Sequence, residues 1–213
     1  MQYRHGHSTA VAIALLVAAF LAATALDGWA YHHLVRPTIY DGDLGRMLRV
    51  AGFLPTWAIV SIALVLCDPS WRGSTVTPWR RWRGVLPFAS AALAGLAGEV
   101  LKLLLRRERP EAHAGGYVFR SWSVHPFSSA GFALPSSHAI VAFGALAMLA
   151  RMYPRARWIF FAVAGGCALT RVLARAHFLS DVTLAGVVGW LVASTLWTWW
   201  RMRSGCVVND AAP

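Results

Sequence analysis

Residues 85–105, VLPFASAALAGLAGEVLKLLL, form an apolar run long enough to cross a lipid bilayer as an α-helix. About 20 residues in a helix span a hydrocarbon core of about 30 Å. Lipid offers no hydrogen bonds to an exposed backbone, so helices that satisfy their own backbone groups are expected. Further apolar stretches lie at residues 9–26, 53–67, 139–152, 158–174 and 182–200, of which 53–67 and 139–152 need flanking residues to cross. The sequence therefore predicts an all-α, polytopic membrane bundle of about six transmembrane helices.

The composition argues against a soluble or a disordered chain. Of the 213 residues, 57% are apolar and 14% are charged, and the mean hydropathy is +0.51. A soluble domain carries about 25% charged residues, and a disordered chain combines low hydrophobicity with many charges. We therefore treat residues 1–213 as a single integral membrane domain.

The net charge of +11 indicates an anionic partner. Lys102 is the only lysine, and the arginines are distributed between the apolar stretches rather than in one patch. This distribution favours lipid headgroups or an anionic substrate over nucleic acid. The three cysteines, Cys67, Cys167 and Cys206, give no disulfide framework and are interpreted as packing residues.

The short loops predict the orientation. Residues 71–84 and 151–157 contain arginines and no acid, and Arg201 and Arg203 follow the last stretch. The positive-inside rule makes this side cytoplasmic, with both termini inside. An aromatic belt is expected there from Trp71, Trp79, Trp82, Trp158, Trp197, Trp199 and Trp200. The opposite side also holds many arginines, so we expect the site to face outward, to the periplasm or cell exterior of a bacterial inner membrane.

Two outer features precede the motifs. Small residues near residue 25 allow the first stretch to be a cleaved signal, but its apolar core is longer than usual and favours a retained helix. Residues 43–52 predict a short amphipathic helix on the outer surface, with Asp43 as N-cap and Leu44, Met47 and Leu48 on one face.

Polar residues at the mouths of membrane helices are costly and are functional candidates. The first group follows residues 85–105, where Lys102, Arg106 and Arg109 would share one helical stripe before Pro110 ends the helix. Snorkelling cations that anchor a helix end are the simpler interpretation.

The second group is Leu134-Pro135-Ser136-Ser137-His138, which opens the fourth stretch. Simple N-capping by a serine is one interpretation. The alternative is a phosphate site, because free N–H groups at a helix start bind phosphate oxygens and His138 could act there as a general acid.

The third group joins the fifth and sixth stretches and contains Thr170, Arg171, His177 and Asp181. On a helical turn, the carboxylate of Asp181 could bond one ring nitrogen of His177 and leave the other as a nucleophile. A buried His–Asp pair that only holds two helices together is equally open.

Together the three groups resemble the motifs of the type-2 phosphatidic acid phosphatases, a membrane branch of the lipid phosphate phosphatase and haloperoxidase superfamily. That family carries K-x6-RP, PSGH and SR-x5-H-x3-D in this order. This sequence has Lys102-x6-Arg109-Pro110, Pro135-Ser136-Ser137-His138 and Thr170-Arg171-x5-His177-x3-Asp181, a motif core at residues 102–181. Ser137 replaces the usual Gly and Thr170 the usual Ser, and neither change removes a reacting group.

The resemblance implies a phosphatase without metal or other cofactor. His177 would attack phosphorus, Asp181 would orient it, and His138 would protonate the leaving oxygen. The phosphoryl oxygens would be bound by Lys102, Arg109, Ser136, Ser137 and Arg171. The residues themselves agree, since phosphoryl transfer mainly requires positive charge on the equatorial oxygens.

Other polar residues are assigned more loosely. Glu99 is expected to pair with Lys102, one turn away. Arg106, Arg107, Arg120 and Arg175 are either surface charges or extra binding groups for a diphosphate or acidic headgroup. The outer loop at residues 111–133 could cover the site as a lid.

The expected substrate is a lipid phosphate or diphosphate, because the motifs lie where headgroups lie. Undecaprenyl diphosphate, phosphatidic acid, phosphatidylglycerol phosphate and lipid A phosphate remain open. The alternatives are a phosphotransferase that uses a lipid or sugar hydroxyl as acceptor, and a non-catalytic lipid-binding membrane protein.

Overall fold

The computed structural model describes residues 3–68 and 82–204, which form seven α-helices and short 3-10 turns. The α-helices are α1 (Tyr3–His33), α2 (Asp43–Val50), α3 (Leu54–Leu66), α4 (Leu86–Leu105), α5 (Ser137–Met152), α6 (Arg157–Leu173) and α7 (Leu179–Ser204). Within the described residues, no β-strand forms, and pairing is limited to isolated bridges from Arg107 to Phe119 and from Glu108 to Phe132. The all-α prediction is confirmed.

The predicted number of about six membrane-spanning helices is not confirmed by the residues that the structure describes. Four segments are long and apolar enough to cross alone: Ile13–His33, Trp82–Leu105, Pro154–Leu173 and Leu179–Ser204. The pair α2 and α3, bent by 71°, raises the number to five if it counts as one broken span. Helix α5 has 16 residues, about 24 Å, and is too short to cross by itself.

The short helix α5 lies at the centre of the bundle. It packs against α4, α6 and α7, and nearly all of its side chains are buried. Small residues permit this close packing, as they do in membrane interfaces generally. A Cβ atom at Gly189 on α7 would lie 2.8 Å from the backbone nitrogen of Gly144 on α5, so these two helices touch backbone to backbone.

The helices alternate in direction, and this brings all three motifs to one end of the bundle. That end contains the last turns of α1, α4 and α6, the first turns of α5 and α7, and α2. At the opposite end, Arg83 Nη2 donates a 2.8 Å hydrogen bond to the carbonyl of Met152, which joins two of the arginine-containing connections. Trp71 and Trp79 lie outside the described residues, so the aromatic belt is described only in part.

Several local predictions need correction. Asp43 is the first residue of α2 rather than its cap, because Gly42 occupies the N-cap position and Asp43 pairs with Arg46. The predicted helix itself is present, and its apolar residues Leu44 and Met47 are exposed, which agrees with a surface helix. Among the described cysteines, Cys167 is buried as a packing residue would be, whereas Cys67 is exposed; Cys206 lies outside the described residues.

Candidate active site

The predicted nucleophile, His177, lies in the connection between α6 and α7 and is buried. Its Nδ1 atom is 2.9 Å from the carbonyl oxygen of Ala133 and 3.6 Å from Oδ2 of Asp181. A carbonyl only accepts hydrogen bonds, so Nδ1 carries the proton and Nε2 keeps its lone pair. The predicted pairing of the ring with Asp181 is present as an ion-pair contact, which at 3.6 Å is longer than a direct hydrogen bond. His177 precedes α7, so its ring reaches the Ala133 carbonyl first and Asp181 contributes charge from slightly farther away.

Burial lowers the pKa of His177, and the positive charges of Arg171 and Arg109 lower that pKa further. Asp181 acts in the opposite direction, through its hydrogen-bonding capacity and its charge. The net effect favours a neutral imidazole, which is the form that a nucleophile needs.

The carboxylate of Asp181 is fully buried and is held on both oxygens. Oδ2 accepts a 2.7 Å hydrogen bond from the backbone N–H of Phe178, and Oδ1 accepts one from Arg107. The first contact is the reach-back half of a capping box, in which an acid in the first turn caps its own helix start. Arg107 also donates to Ser180 Oγ at 2.7 Å. The arginine is thus a buried structural partner rather than a surface charge.

A second buried carboxylate, Asp27 on α1, fixes the start of α7. It accepts the backbone N–H of Ser180 at 2.8 Å and also the Ser180 hydroxyl. The hydroxyl of Tyr117 donates to the same carboxylate at 2.7 Å. Burial raises the pKa of Tyr117, and Asp27 raises it further, so the phenol remains a donor. Helix α1 and the outer loop therefore both position the segment that holds His177 and Asp181.

Lys102 lies in the last turn of α4 and contacts the motif on α5. Its ammonium group donates to Ser137 Oγ and, at 2.9 Å, to Glu99 Oε1. Glu99 also accepts hydrogen bonds from Ser137 at 3.1 Å and Ser129 at 2.6 Å. The predicted pairing of Glu99 with Lys102 is confirmed. Ser137, which departs from the family pattern, is a direct partner of the lysine.

The predicted helical stripe of Lys102, Arg106 and Arg109 is wrong. Helix α4 ends at Leu105, and Arg106 adopts a left-handed conformation with φ of 53°. The chain then runs extended, which leaves Arg109 exposed before Pro110. The positive charge of Arg109 still lowers the pKa of His177, so the side chain is close enough to the site to influence it.

Arg106 and Arg120 make hydrogen bonds that hold the outer loop. Buried Arg106 donates hydrogen bonds to the carbonyls of Arg120, Ser121, Val124 and Pro126. Arg120 donates to Glu108 at 2.6 Å, and this bond, with that of His113, holds the pKa of Glu108 below its usual value. The loop at residues 111–133 therefore has an internal framework of arginine contacts. Its role as a lid remains a prediction.

Several polar atoms around the site are buried and have no hydrogen-bond partner among the described residues. They include Ser136 Oγ, His138 Nε2 and Arg171 Nε. Ser136 is the N-cap residue of α5 but makes no capping bond with its side chain, so simple N-capping does not explain it. Ser136 Oγ and Arg171 Nε are therefore donors that no other described side chain or backbone group uses. Donors from serine and arginine suit an anion such as phosphate.

Sequence reasoning missed four contributors: Asp27, the Ala133 carbonyl, Tyr40 and Arg49. Tyr40 accepts a 3.0 Å hydrogen bond from Arg171 and donates to the Thr170 carbonyl at 3.1 Å. A lone acid near the end of an apolar stretch was a usable signal for Asp27. A backbone carbonyl carries no signal in the sequence, and Arg49 looks no different from its neighbour Arg46.

Arg175 packs over the ring of Tyr31, with 4.8 Å between its guanidinium carbon and the ring centroid. It forms no salt bridge with an acid among the described residues.

In the part of the chain that is described, no cluster of three or more His, Cys, Asp or Glu side chains is arranged to hold a metal ion. Metal independence remains a prediction.

Comparison with known proteins gives the family. The sequence profile of the PAP2 superfamily matches residues 83–204, more than half of the chain. The chain therefore belongs to the PAP2 superfamily. Its apolar helices and this family membership establish an integral membrane protein.

Two curated relatives share part of this sequence. The chain is 33% identical over 111 residues to a lipid A 1-phosphatase of Rhizobium etli, covering 51% of this chain and 47% of the relative. It is 34% identical over 106 residues to a lipid A 1-phosphatase of Rhizobium johnstonii, covering 50% of this chain and 43% of that relative. The matched region is thus less than half the length of each relative.

A solved structure shares the fold. It is the transmembrane PAP2-type phosphatidylglycerolphosphate phosphatase of Bacillus subtilis, with a TM-score of 0.60 and 20% sequence identity. The match covers 87% of this chain and 94% of that one. At this identity the similarity concerns the fold alone.

Proposed function

We propose that this chain is a lipid phosphatase that removes phosphate from a lipid phosphate or diphosphate through a covalent phosphohistidine at His177. One observation carries the proposal above the others. The Nδ1 atom of His177 is occupied by the Ala133 carbonyl, which directs the free Nε2 lone pair to serve as nucleophile in the field of Arg109 and Arg171.

The phosphate would be bound by cations and by donors that lack a partner in the free protein. Arg171 Nε and Ser136 Oγ are buried and unpartnered among the described residues. Lys102 and Arg109 bring positive charge from α4 and from the extended segment after it. Together these groups would stabilise the negative charge on the equatorial oxygens of the transferring phosphoryl group.

In the first step, Nε2 of His177 forms a bond to phosphorus and the bond from phosphorus to the lipid oxygen breaks. His138, in its protonated form, gives its proton to that oxygen, so the lipid leaves as an alcohol or, from a diphosphate, as a lipid monophosphate. The modified imidazole becomes cationic. The Ala133 carbonyl and the Asp181 carboxylate, 2.9 Å and 3.6 Å from Nδ1, stabilise this charge.

In the second step, water attacks the phosphohistidine and His138 takes a proton from it. The bond between phosphorus and Nε2 breaks, inorganic phosphate leaves, and His177 returns to its neutral form. His138 is protonated again and ready for another cycle.

Lipid A carrying a 1-phosphate is the first substrate to assay, because both curated relatives act on it by name. Phosphatidylglycerol phosphate, phosphatidic acid and undecaprenyl diphosphate complete the set. We further propose one catalytic domain with its motif core at residues 102–181, placed at the periplasmic or outer face of a bacterial inner membrane with both termini cytoplasmic. Leu44 and Met47, exposed on α2, would lie at the headgroup level of that face.

The test is phosphate release by the detergent-purified full chain from each lipid, with a chelator present and no added acceptor. We expect turnover with at least one lipid and none by His177→Gln. His32→Gln, an exposed histidine outside the site, is the matched control. Full turnover by His177→Gln contradicts the phosphohistidine mechanism. Loss of activity when the chelator is added contradicts metal independence. If phosphate is transferred only when an alcohol acceptor is supplied, the enzyme is a phosphotransferase.

A further inference from the structure

We propose that Arg49, held over the ring of Tyr40, forms a second anion-binding position beside the phosphate site, so that the preferred substrate carries another anionic group next to the phosphate that is cleaved. This inference rests on the proposed function and specifies its substrate class. Neither residue belongs to the three motifs.

Arg49 lies in the last turn of α2, and aromatic rings hold its side chain. Its guanidinium carbon is 4.7 Å from the ring centroid of Tyr40 and 5.8 Å from that of Phe53. The Nε atom is buried and has no hydrogen-bond partner among the described residues. Stacking on two rings fixes the direction of the guanidinium without using its N–H donors.

These rings connect Arg49 directly to the catalytic groups. The ring of Phe53 packs edge-on against His138 with centroids 5.0 Å apart. The Gly52 backbone lies so close that a Cβ atom there would be 2.7 Å from His138 Cβ. The charge of Arg49 acts on His138 accordingly. The last turn of α2 and the residues that follow it therefore form one wall of the phosphate site.

Tyr40 joins Arg49 to Arg171. Its hydroxyl accepts the 3.0 Å hydrogen bond from Arg171 Nη1, and the Arg171 guanidinium carbon is 5.9 Å from the same ring centroid. Two guanidinium groups thus pack around one tyrosine. Within residues 3–68 and 82–204, neither arginine forms a salt bridge with a carboxylate.

The neighbouring Arg46 shows the ordinary alternative. It lies one turn earlier on α2, is largely exposed, and pairs with Asp43 at 2.7 Å. Arg49 instead is half-buried, points toward the site and lacks such a partner. Bringing two like charges together without a counter-ion is unfavourable, and an anion between them removes that cost.

The phosphate to be cleaved is already served by Lys102, Arg109 and Arg171. A further cation at the rim fits a second negative group on the same headgroup. This group is the outer or inner phosphate of a diphosphate, or a phosphodiester near a terminal phosphate. Both present the same chemistry, a phosphate oxygen within reach of a guanidinium fork.

Paired substrates test this assignment. Farnesyl monophosphate is compared with farnesyl diphosphate, and short-chain phosphatidic acid with phosphatidylglycerol phosphate of the same chains. We expect Arg49→Gln to raise KM for the two-anion member of a pair at least tenfold more than for its one-anion partner, because a charge-assisted hydrogen bond is lost. Arg49→Lys should recover part of the effect. Arg46→Gln is the matched control and should behave as wild type. If Arg49→Gln raises KM only for farnesyl diphosphate, the second anion is the other phosphate of a diphosphate. If it raises KM only for phosphatidylglycerol phosphate, the second anion is the phosphodiester.

Binding of inorganic pyrophosphate and inorganic phosphate, measured by calorimetry on the purified full chain, separates this inference from the proposed activity. Arg49→Gln should weaken pyrophosphate binding about tenfold more than phosphate binding. If wild-type protein hydrolyses no lipid, the proposed function fails while the binding comparison still decides the second site. Equal losses for both members of each pair, or no loss for either, overturn the inference.

Discussion

The Nδ1 atom of His177 donates a 2.9 Å hydrogen bond to the backbone carbonyl of Ala133, two residues before Pro135. This bond links the connection before α7 to the segment that leads into α5. Because a carbonyl cannot donate, it determines the tautomer of the ring without help from a carboxylate. Asp181 is then free to bond Arg107 and the Phe178 N–H, and it acts on the ring mainly through its charge. Orientation and electrostatic stabilisation are therefore supplied by different groups.

The pH dependence of kcat/KM should follow from the environment of His177. Protonation of this ring as the pH falls removes the nucleophile. Burial and the nearby arginines lower the pKa of His177, so the acid limb should lie below the ordinary histidine value of about 6.5. Asp181 raises that pKa, so Asp181→Asn should move the limb to still lower pH while kcat falls about a hundredfold.

The measurement is a pH series of phosphate release at low substrate concentration, with Asp43→Asn as the control. Asp43 is an exposed acid on α2, and its replacement should leave the profile in place. An acid limb above pH 7 in the wild type, or a shift to higher pH in Asp181→Asn, contradicts this assignment of charges.

Asp27→Asn should destabilise the protein. The carboxylate accepts three donors, the Ser180 N–H, the Ser180 hydroxyl and the Tyr117 hydroxyl. An amide places its NH2 group against at least one of them, which costs about 1–3 kcal/mol. The melting temperature in detergent should fall by about 5 °C, and Tyr117→Phe should cause a smaller fall. Equal melting temperatures for Asp27→Asn and wild type would contradict a stabilising role of the Asp27 carboxylate.

The helices could largely be predicted from hydropathy, because a membrane segment must be apolar and helical over its length. The predicted stretch 85–105 differs from α4, Leu86–Leu105, by one residue. The number of spans could not be predicted in this way. The 71° bend between α2 and α3 and the shortness of α5 depend on packing against neighbours, which hydropathy does not contain.

The candidate site, too, could be predicted only in part from the sequence. The placement of the motifs at helix ends predicted that Lys102, His138, Arg171 and His177 lie at one end of the bundle, because alternate connections of a helical bundle lie on the same side. The end of α4 was beyond such reasoning. Arg106 leaves the helix to reach four loop carbonyls, and those acceptors lie 14 to 20 residues later in the chain. Long-range backbone contacts of this kind have no local pattern.

Arg106→Gln should loosen the outer loop. The side chain satisfies four carbonyls that would otherwise compete for water, and its guanidinium packs over Trp122 at 5.0 Å. Hydrogen exchange at residues 120–126 should accelerate at least tenfold while exchange in α5 stays slow. Arg109→Gln is the control for this measurement, because its exposed side chain makes no hydrogen bond among the described residues. Unchanged exchange in the loop of Arg106→Gln would show that other contacts hold it.

Ser136→Ala should separate stability from activity. The hydroxyl of Ser136 is fully buried and has no partner within the described chain, so the free protein bears the cost of desolvating it. Its removal should stabilise the protein by about 1 kcal/mol and raise the melting temperature by about 3 °C. If the hydroxyl donates to the bound phosphate, kcat/KM should fall about tenfold in the same variant.

Ser90→Ala provides the matched control, because Ser90 Oγ is equally buried but donates a 2.7 Å hydrogen bond to the Gly144 carbonyl. That change should lower the melting temperature and leave kcat/KM unaltered. A Ser136→Ala variant that is both less stable and fully active would place the hydroxyl in the structure rather than in the phosphate site.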